Sequence, residues 1–161
     1  VFEKVKKYDA AIQILSEACV CFPNFKPAVI EKAKIHIANN EWDQASDAIQ
    51  QVMISDRNNI EALRIYVFYL MAREGDWELV EEKMNDLLNS MRASESKNAD
   101  LYYNISRLFS RYCGRNQMML NKTLQILDQA IMLSPENPHY HNEVGHQKCL
   151  LGDYQGAYSV F

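Results

Sequence analysis

His139, His146 and Cys149 bring two imidazoles and a thiol into one short stretch, the kind of density from which a zinc site is built. Zinc needs three or four ligands converging at about 2 Å. The stretch is helix-patterned, and seven residues of helix separate His139 from His146 by roughly 10 Å of rise. The three side chains therefore cannot meet on one ion, and no metal site is expected. Glu78, Glu81 and Glu82 are candidates for general acid or base work, but beside Lys83 they read as one solvated helix face. Asn104-Ile105-Ser106 and Asn121-Lys122-Thr123 match the glycosylation pattern; the first falls in mid-helix, and both read as chance. Only five glycines occur, and they form no phosphate-cradling loop. His36 reads as a side chain packed in a seam between helices. No catalytic residue, metal or cofactor is expected, and the chain is read as a non-enzyme.

Composition narrows the partners. Hydrophobic residues make up 48%, charged residues 24%, and the net charge is −4, so no electrostatic footprint for nucleic acid is present. No apolar run approaches the roughly 20 residues of a membrane span, so no membrane insertion is expected, and with no catalytic residue in view no small-molecule substrate is expected either. Cys19 and Cys21 stand two apart on a helix and point about 200° away from each other. With Cys113 and Cys149 they read as reduced thiols of a cytoplasmic protein.

The elements that carry these residues are announced by three short turns. Asn40-Glu41-Trp42, Gly75-Asp76-Trp77 and Gly152-Asp153-Tyr154 each separate two helix-patterned stretches, with Ala45, Val80 or Ala157 three residues beyond the aromatic. Trp42 and Trp77 are 35 residues apart, and Tyr8-Asp9-Ala10-Ala11 begins 34 before Trp42. A period of that length means one helix pair recurring. The spacing predicts a partial repeat over 1–25, whose Tyr8 to Pro23 is a second helix lacking its first. Full repeats follow over 26–59, 60–98 and 99–137, and a partial one over 138–161. In each repeat a first helix (helix A) and a second (helix B) bury facing apolar stripes, and neighbouring pairs must stack because one pair cannot cover its own surface. Small residues at the crossing, such as Ala33 with Ala45, let the axes approach, whereas Glu41 in the turn reads as replaceable. Val1 and Phe161 read as ends lying inside a longer array.

The pattern resembles the tetratricopeptide repeat family. Position 4 is Val29, Leu63, Tyr102 and His141; position 20 is Ala11, Ala45, Val80, Thr123 and Ala157; position 27 is Ala18, Val52, Leu87 and Ala130; and Pro23 and Pro135 close two units. Lys32 at position 7, Lys148 at 11 and Arg57 in place of a closing proline depart from the family's pattern. The resemblance implies an all-α fold, a right-handed superhelical α-solenoid of helix-turn-helix repeats forming one segment of a longer protein.

Two irregularities interrupt the register. Arg92-Ala93-Ser94-Glu95-Ser96-Lys97 reads as an exposed linker inserted between repeats, and Cys113 to Met119 as a lengthened turn within one. The 60–98 repeat also carries one extra residue in its helix A, just before Gly75. Insertions in solenoids map to loops on one face, often a binding face.

The resemblance further implies a protein-binding inner groove lined by helix A. Its candidate residues are Ile30, Lys34, Arg64, Ile65, Phe68, Met71, Tyr103, Arg107 and Arg111, changing from apolar to basic along the chain. Two readings stay open, contact with a partner and packing on the adjacent helix A. The carboxylate clamp of the chaperone-binding subclass is matched only at Asn104, so transient capture of short peptides is the alternative reading. Within the family, Met71 to Val80 and Cys113 to Asn116 look like the large all-repeat subunit of intraflagellar transport complex A. That resemblance implies a structural role in retrograde ciliary transport, other subunits of that complex as partners, and a place at the cilium and ciliary base.

Overall fold

The computed structural model describes residues 2–22 and 25–160. Val1, Phe161 and Pro23, the last read as closing a repeat, lie outside the described residues. The described chain is helical, in two compact units, Val1–Glu74 and Gly75–Phe161.

The first unit holds α1 (Phe2–Cys21), α2 (Lys26–Ala38), α3 (Trp42–Ser55) and α4 (Ile60–Tyr69). α1 is one unbroken helix of 20 residues that starts before Tyr8, where the spacing had begun the second helix. α2 packs against α1 and α3, and α4 covers both α3 and α2. Val29, Ile30, Ala33, Ile49, Val52, Ala62 and Ile65 form the core, flanked by Cys19, Ile37, Ala48, Met53 and Tyr66. Ala33 and Ala45 are both fully buried on the paired helices, as expected for a close crossing. Glu41 is no bystander: its Oε2 lies 2.5 Å from Nδ1 of buried His36, and its backbone N–H donates to the His36 carbonyl. The pair closes the α2–α3 turn.

α4 does not end as an α-helix. Leu70–Glu74 form a π-helical turn. Such a turn holds one more residue than an α-turn and is the usual way a helix accommodates a single insertion. The extra residue before Gly75 is thus absorbed inside the helix.

The second unit holds α5 (Trp77–Ser94), α6 (Ala99–Tyr112), α7 (Gln117–Leu133), α8 (Pro138–Leu151) and α9 (Tyr154–Tyr158). α6 and α7 form its central pair; α5 packs on α7, α8 on both α7 and α6, and α9 on α8. Met84, Leu87, Met91, Tyr102, Ile105, Phe109, Met119, Leu120, Leu127 and Tyr140 are buried there. His141, read as the large residue at position 4, is only half-buried, and its Nε2 lies 2.6 Å from the Pro135 carbonyl oxygen. Tyr140, one residue earlier, fills the seam instead.

Both insertions lengthen a helix B rather than a loop. Arg92, Ala93 and Ser94 continue α5, which reaches 18 residues against 14 in α3, leaving only Glu95–Asn98 as connection. Gln117 to Met119 are the first turn of the 17-residue α7, with Met119 fully buried. The turn within that repeat is only Cys113–Asn116.

Turn chemistry explains the boundaries. Asn40, Gly75, Gly114 and Gly152 take positive φ between helix A and helix B, the left-handed conformation in which glycine and asparagine are least strained. Asn59, Asp76, Asn98, Asn116, Asn137 and Asp153 each accept a hydrogen bond from a backbone N–H in the first turn of the following helix. Phe25 and Glu41, which precede α2 and α3, provide no such side-chain cap.

Candidate functional site

The expected groove residues fall in both units. In the first, Ile30 and Ile65 are core residues, each 6% exposed, and present no apolar surface to a partner. They point inward because α4 lies directly over α2. Lys34, half-buried, pairs with Glu31 at 2.7 Å and Glu61 at 3.7 Å, and Arg64 pairs with Glu61 at 2.6 Å. These cations cross from α2 to α4 as a compensated strip, worth little to stability at this exposure.

Phe68 and Met71 are half-buried. The Phe68 ring stacks on Trp42 with centroids 6.3 Å apart, and Trp42 also meets Tyr69 at 6.4 Å. Tyr66 stacks on Tyr69 at 6.2 Å. Burial holds the Tyr69 hydroxyl above the usual phenol range, and the nearby Glu74 carboxylate of the π turn adds to the rise. Phe68 therefore serves the fold of this unit as well as its surface. Truncating it is expected to lower stability, in keeping with the packing reading of the groove residues.

In the second unit, Arg107 is exposed, and its guanidinium carbon sits 6.0 Å from the centroid of the Tyr103 ring. Tyr103 in turn meets Tyr140 at 5.0 Å, and the Tyr140 hydroxyl donates to Asp100 Oδ1 at 2.8 Å. Burial raises the Tyr140 pKa first, and the Asp100 carboxylate adds to the rise. Arg111 does not extend a free positive patch: it makes a bidentate pair with Glu143, at 3.1 Å to Oε1 and 2.8 Å to Oε2. The Glu143 side chain is 4% exposed and that of Arg111 40%.

Beneath that pair lies a buried polar cluster that reasoning from single positions missed. Ser110 Oγ donates to Glu143 Oε1 at 2.9 Å. Gln147 Nε2 donates to Glu143 Oε1 and to Ser106 Oγ, both at 2.9 Å, while Gln147 Oε1 accepts from Thr123 Oγ1 at 2.9 Å. Ser106 Oγ donates to the Thr123 carbonyl at 2.8 Å. Among the described residues no buried side-chain polar atom lacks a partner. The signal was present in the sequence as coincidence: Ser106, Thr123 and Gln147 are polar where the first unit has Ala33, Ala45 and Tyr69 at the same repeat positions.

His139, His146 and Cys149 are exposed on α8, and among the described residues no cluster of histidine, cysteine and carboxylate side chains could hold a metal ion. No described helix is long and apolar enough to cross a membrane. What the surfaces offer is a set of aromatic platforms flanked by cations.

Comparison with known proteins places these features. Residues 4–66 match the tetratricopeptide repeat family model, and residues 82–161 match the model described as the second ARM domain of tetratricopeptide repeat protein 21. The chain is similar to tetratricopeptide repeat protein 21B of Homo sapiens, 38% identical over 155 residues, and of Mus musculus, 37% over 156. These alignments cover 96% and 97% of the chain, which spans only 12% of the length of either relative. Among solved structures, MamA superposes with a TM-score of 0.63 at 16% identity, covering 99% of this chain and 87% of that one. PilW, a type IV pilus biogenesis factor, gives 0.67 at 16% identity, covering 99% and 74%. These two likenesses carry the fold alone.

Proposed function

The chain belongs to the tetratricopeptide repeat family, whose stacked helix pairs form protein-interaction scaffolds, and from that premise we propose that it serves in a structural subunit of intraflagellar transport complex A. In this reading the parent protein works in retrograde ciliary transport, at the cilium and ciliary base, held by other subunits of the complex. The single observation that carries the proposal is the 38% identity to tetratricopeptide repeat protein 21B over 96% of the chain. The wording of Met71 to Val80 and of Cys113 to Asn116 supports it.

Partner contact is assigned within each unit to the half-open aromatic and cationic residues of helix A. In the first these are Phe68 and Met71 beside Lys34 and Arg64; in the second, Arg107 on its Tyr103 platform. Repeat boundaries at 26, 60, 99 and 138 are proposed on the same footing, since a helix begins at each.

A native pull-down of the full-length parent from ciliated cells tests this reading. Stoichiometric complex A subunits that release slowly, with interfaces above about 2,000 Å², are expected of permanent assembly. Capture of only short peptides at micromolar affinity would replace the scaffold with a transient adaptor. Arg107→Glu is expected to slow association with a co-purifying subunit and to change its salt dependence.

A further inference from the structure

Where α8 meets α6 and α7, the junction is closed by hydrogen bonds running from Thr123 through Gln147 to Glu143 and Arg111, with Ser106 and Ser110 alongside. At three of these repeat positions the first unit has Ala33, Ala45 and Ile65, all buried, and half-buried Tyr69 stands where Gln147 does. Small and aliphatic residues therefore suffice where Ser106, Thr123 and Glu143 stand, and burial does not explain those polar counterparts. Buried ion pairs are weak sources of net stability, because desolvation offsets most of their attraction.

What hydrogen bonds supply is direction. Gln147 uses both amide hydrogens and its carbonyl oxygen, so turning the amide over sets its oxygen against the Glu143 carboxylate, acceptor against acceptor. A slip of α8 by one residue would rotate its side chains by about 100° and take Glu143 away from Arg111. Alanine and isoleucine surfaces pack at several offsets; this arrangement matches at one.

We propose that the cluster is an orientation lock that fixes a single placement of α8 on the α6–α7 pair, with stability a secondary effect. The design is favourable to a direct test because the three hydroxyls have backbone alternatives. Ser106 reaches the Thr123 carbonyl, Ser110 the Arg107 carbonyl at 3.0 Å, and Thr123 the Leu120 carbonyl at 2.9 Å. Removing the charged and amide members together therefore strands no hydroxyl.

The experiment compares the 161-residue chain with the triple variant Arg111→Leu, Glu143→Leu, Gln147→Leu by thermal melting, amide resonances and amide hydrogen exchange. The expected result is a melting midpoint equal to or above the parent's, with doubled or broadened resonances over 138–151. Exchange protection there should fall about 10-fold or more while α6 and α7 keep theirs. A single sharp set of α8 resonances with undiminished protection overturns the lock, and so does a triple variant that fails to fold, because stability would then come first. A second variant, Arg111→Met, leaves Glu143 buried without its cation. It should lower protection in α8 by about 100-fold and spare α7. Uniform loss through α6, α7 and α8 would mark the cluster as ordinary core and overturn the proposal.

Discussion

The junction of Ala33, Ala45 and Ile65 in the first unit and that of Ser106, Thr123 and Glu143 in the second occupy the same repeat positions with opposite chemistry. Repeat geometry decides which positions are buried and leaves open how they are satisfied. The contrast extends in part to helix starts: in the first unit Phe25 and Glu41 leave α2 and α3 without side-chain caps and only α4 is capped, by Asn59, whereas α5 to α9 all begin on a capping Asn or Asp. It also follows the family match, with the general repeat description falling on 4–66 and the protein-specific one on 82–161. The first unit is held by apolar seams, and the second adds a directional polar layer.

Five substitutions break or sharpen that difference. Ile65→Glu imports the acidic residue of the second junction without its arginine, leaving a buried charge uncompensated. A loss of about 3 kcal/mol or more is expected from denaturant unfolding, and a loss below about 1 kcal/mol would show the first junction to be as tolerant of charge as the second. Ala45→Trp overpacks the close crossing with Ala33 and should cost about 1–3 kcal/mol in the same assay. Asn116→Ala removes the cap on α7, whose side chain accepts from Met119 N–H at 3.0 Å. It should cost about 1 kcal/mol, and the matching Glu41→Ala will report how far the His36 contact replaces a cap.

The smallest effect belongs to Asp56, whose carboxylate accepts from Lys26 at 3.0 Å across the first helix pair. The Lys26 ammonium, with Asn59 second, lowers its pKa below the ordinary 3.8. A lowered carboxylate contributes stability that is present above its unfolded value and lost as pH falls through the folded one. Asp56→Asn should therefore cost a few tenths of a kcal/mol at pH 7 and nothing once pH lies well below 3.8. An undiminished difference in acid would assign the effect to hydrogen bonding alone.

Much of the fold was legible in the sequence because turns and small crossing residues recur at fixed intervals. The A–B turns fall at Asn40, Gly75 and Gly152, where the spacing places them. Extra residues were harder to place, since polarity marks exposure and not loop: Arg92 to Ser94 are exposed yet helical, and the first turn of α7 reads like a loop until Asn116 is recognised as its cap. The groove candidates separated for a related reason. Ile30 and Ile65 share a helix face with Lys34 and Phe68, and only the packing of α4 on α2 decides which of them is covered. Arg111 looked free because its partner Glu143 lies 32 residues away.

The π-helical turn at Leu70–Glu74 bears on how such arrays tolerate changes in length. In an unbroken α-helix one inserted residue advances every later side chain by about 100°. Within these five residues the phase is restored, so Gly75 and Asp76 still turn and cap as their counterparts do. An insertion is thereby quarantined: each helix pair keeps its own count, and an error of one residue in one repeat is not inherited by the next.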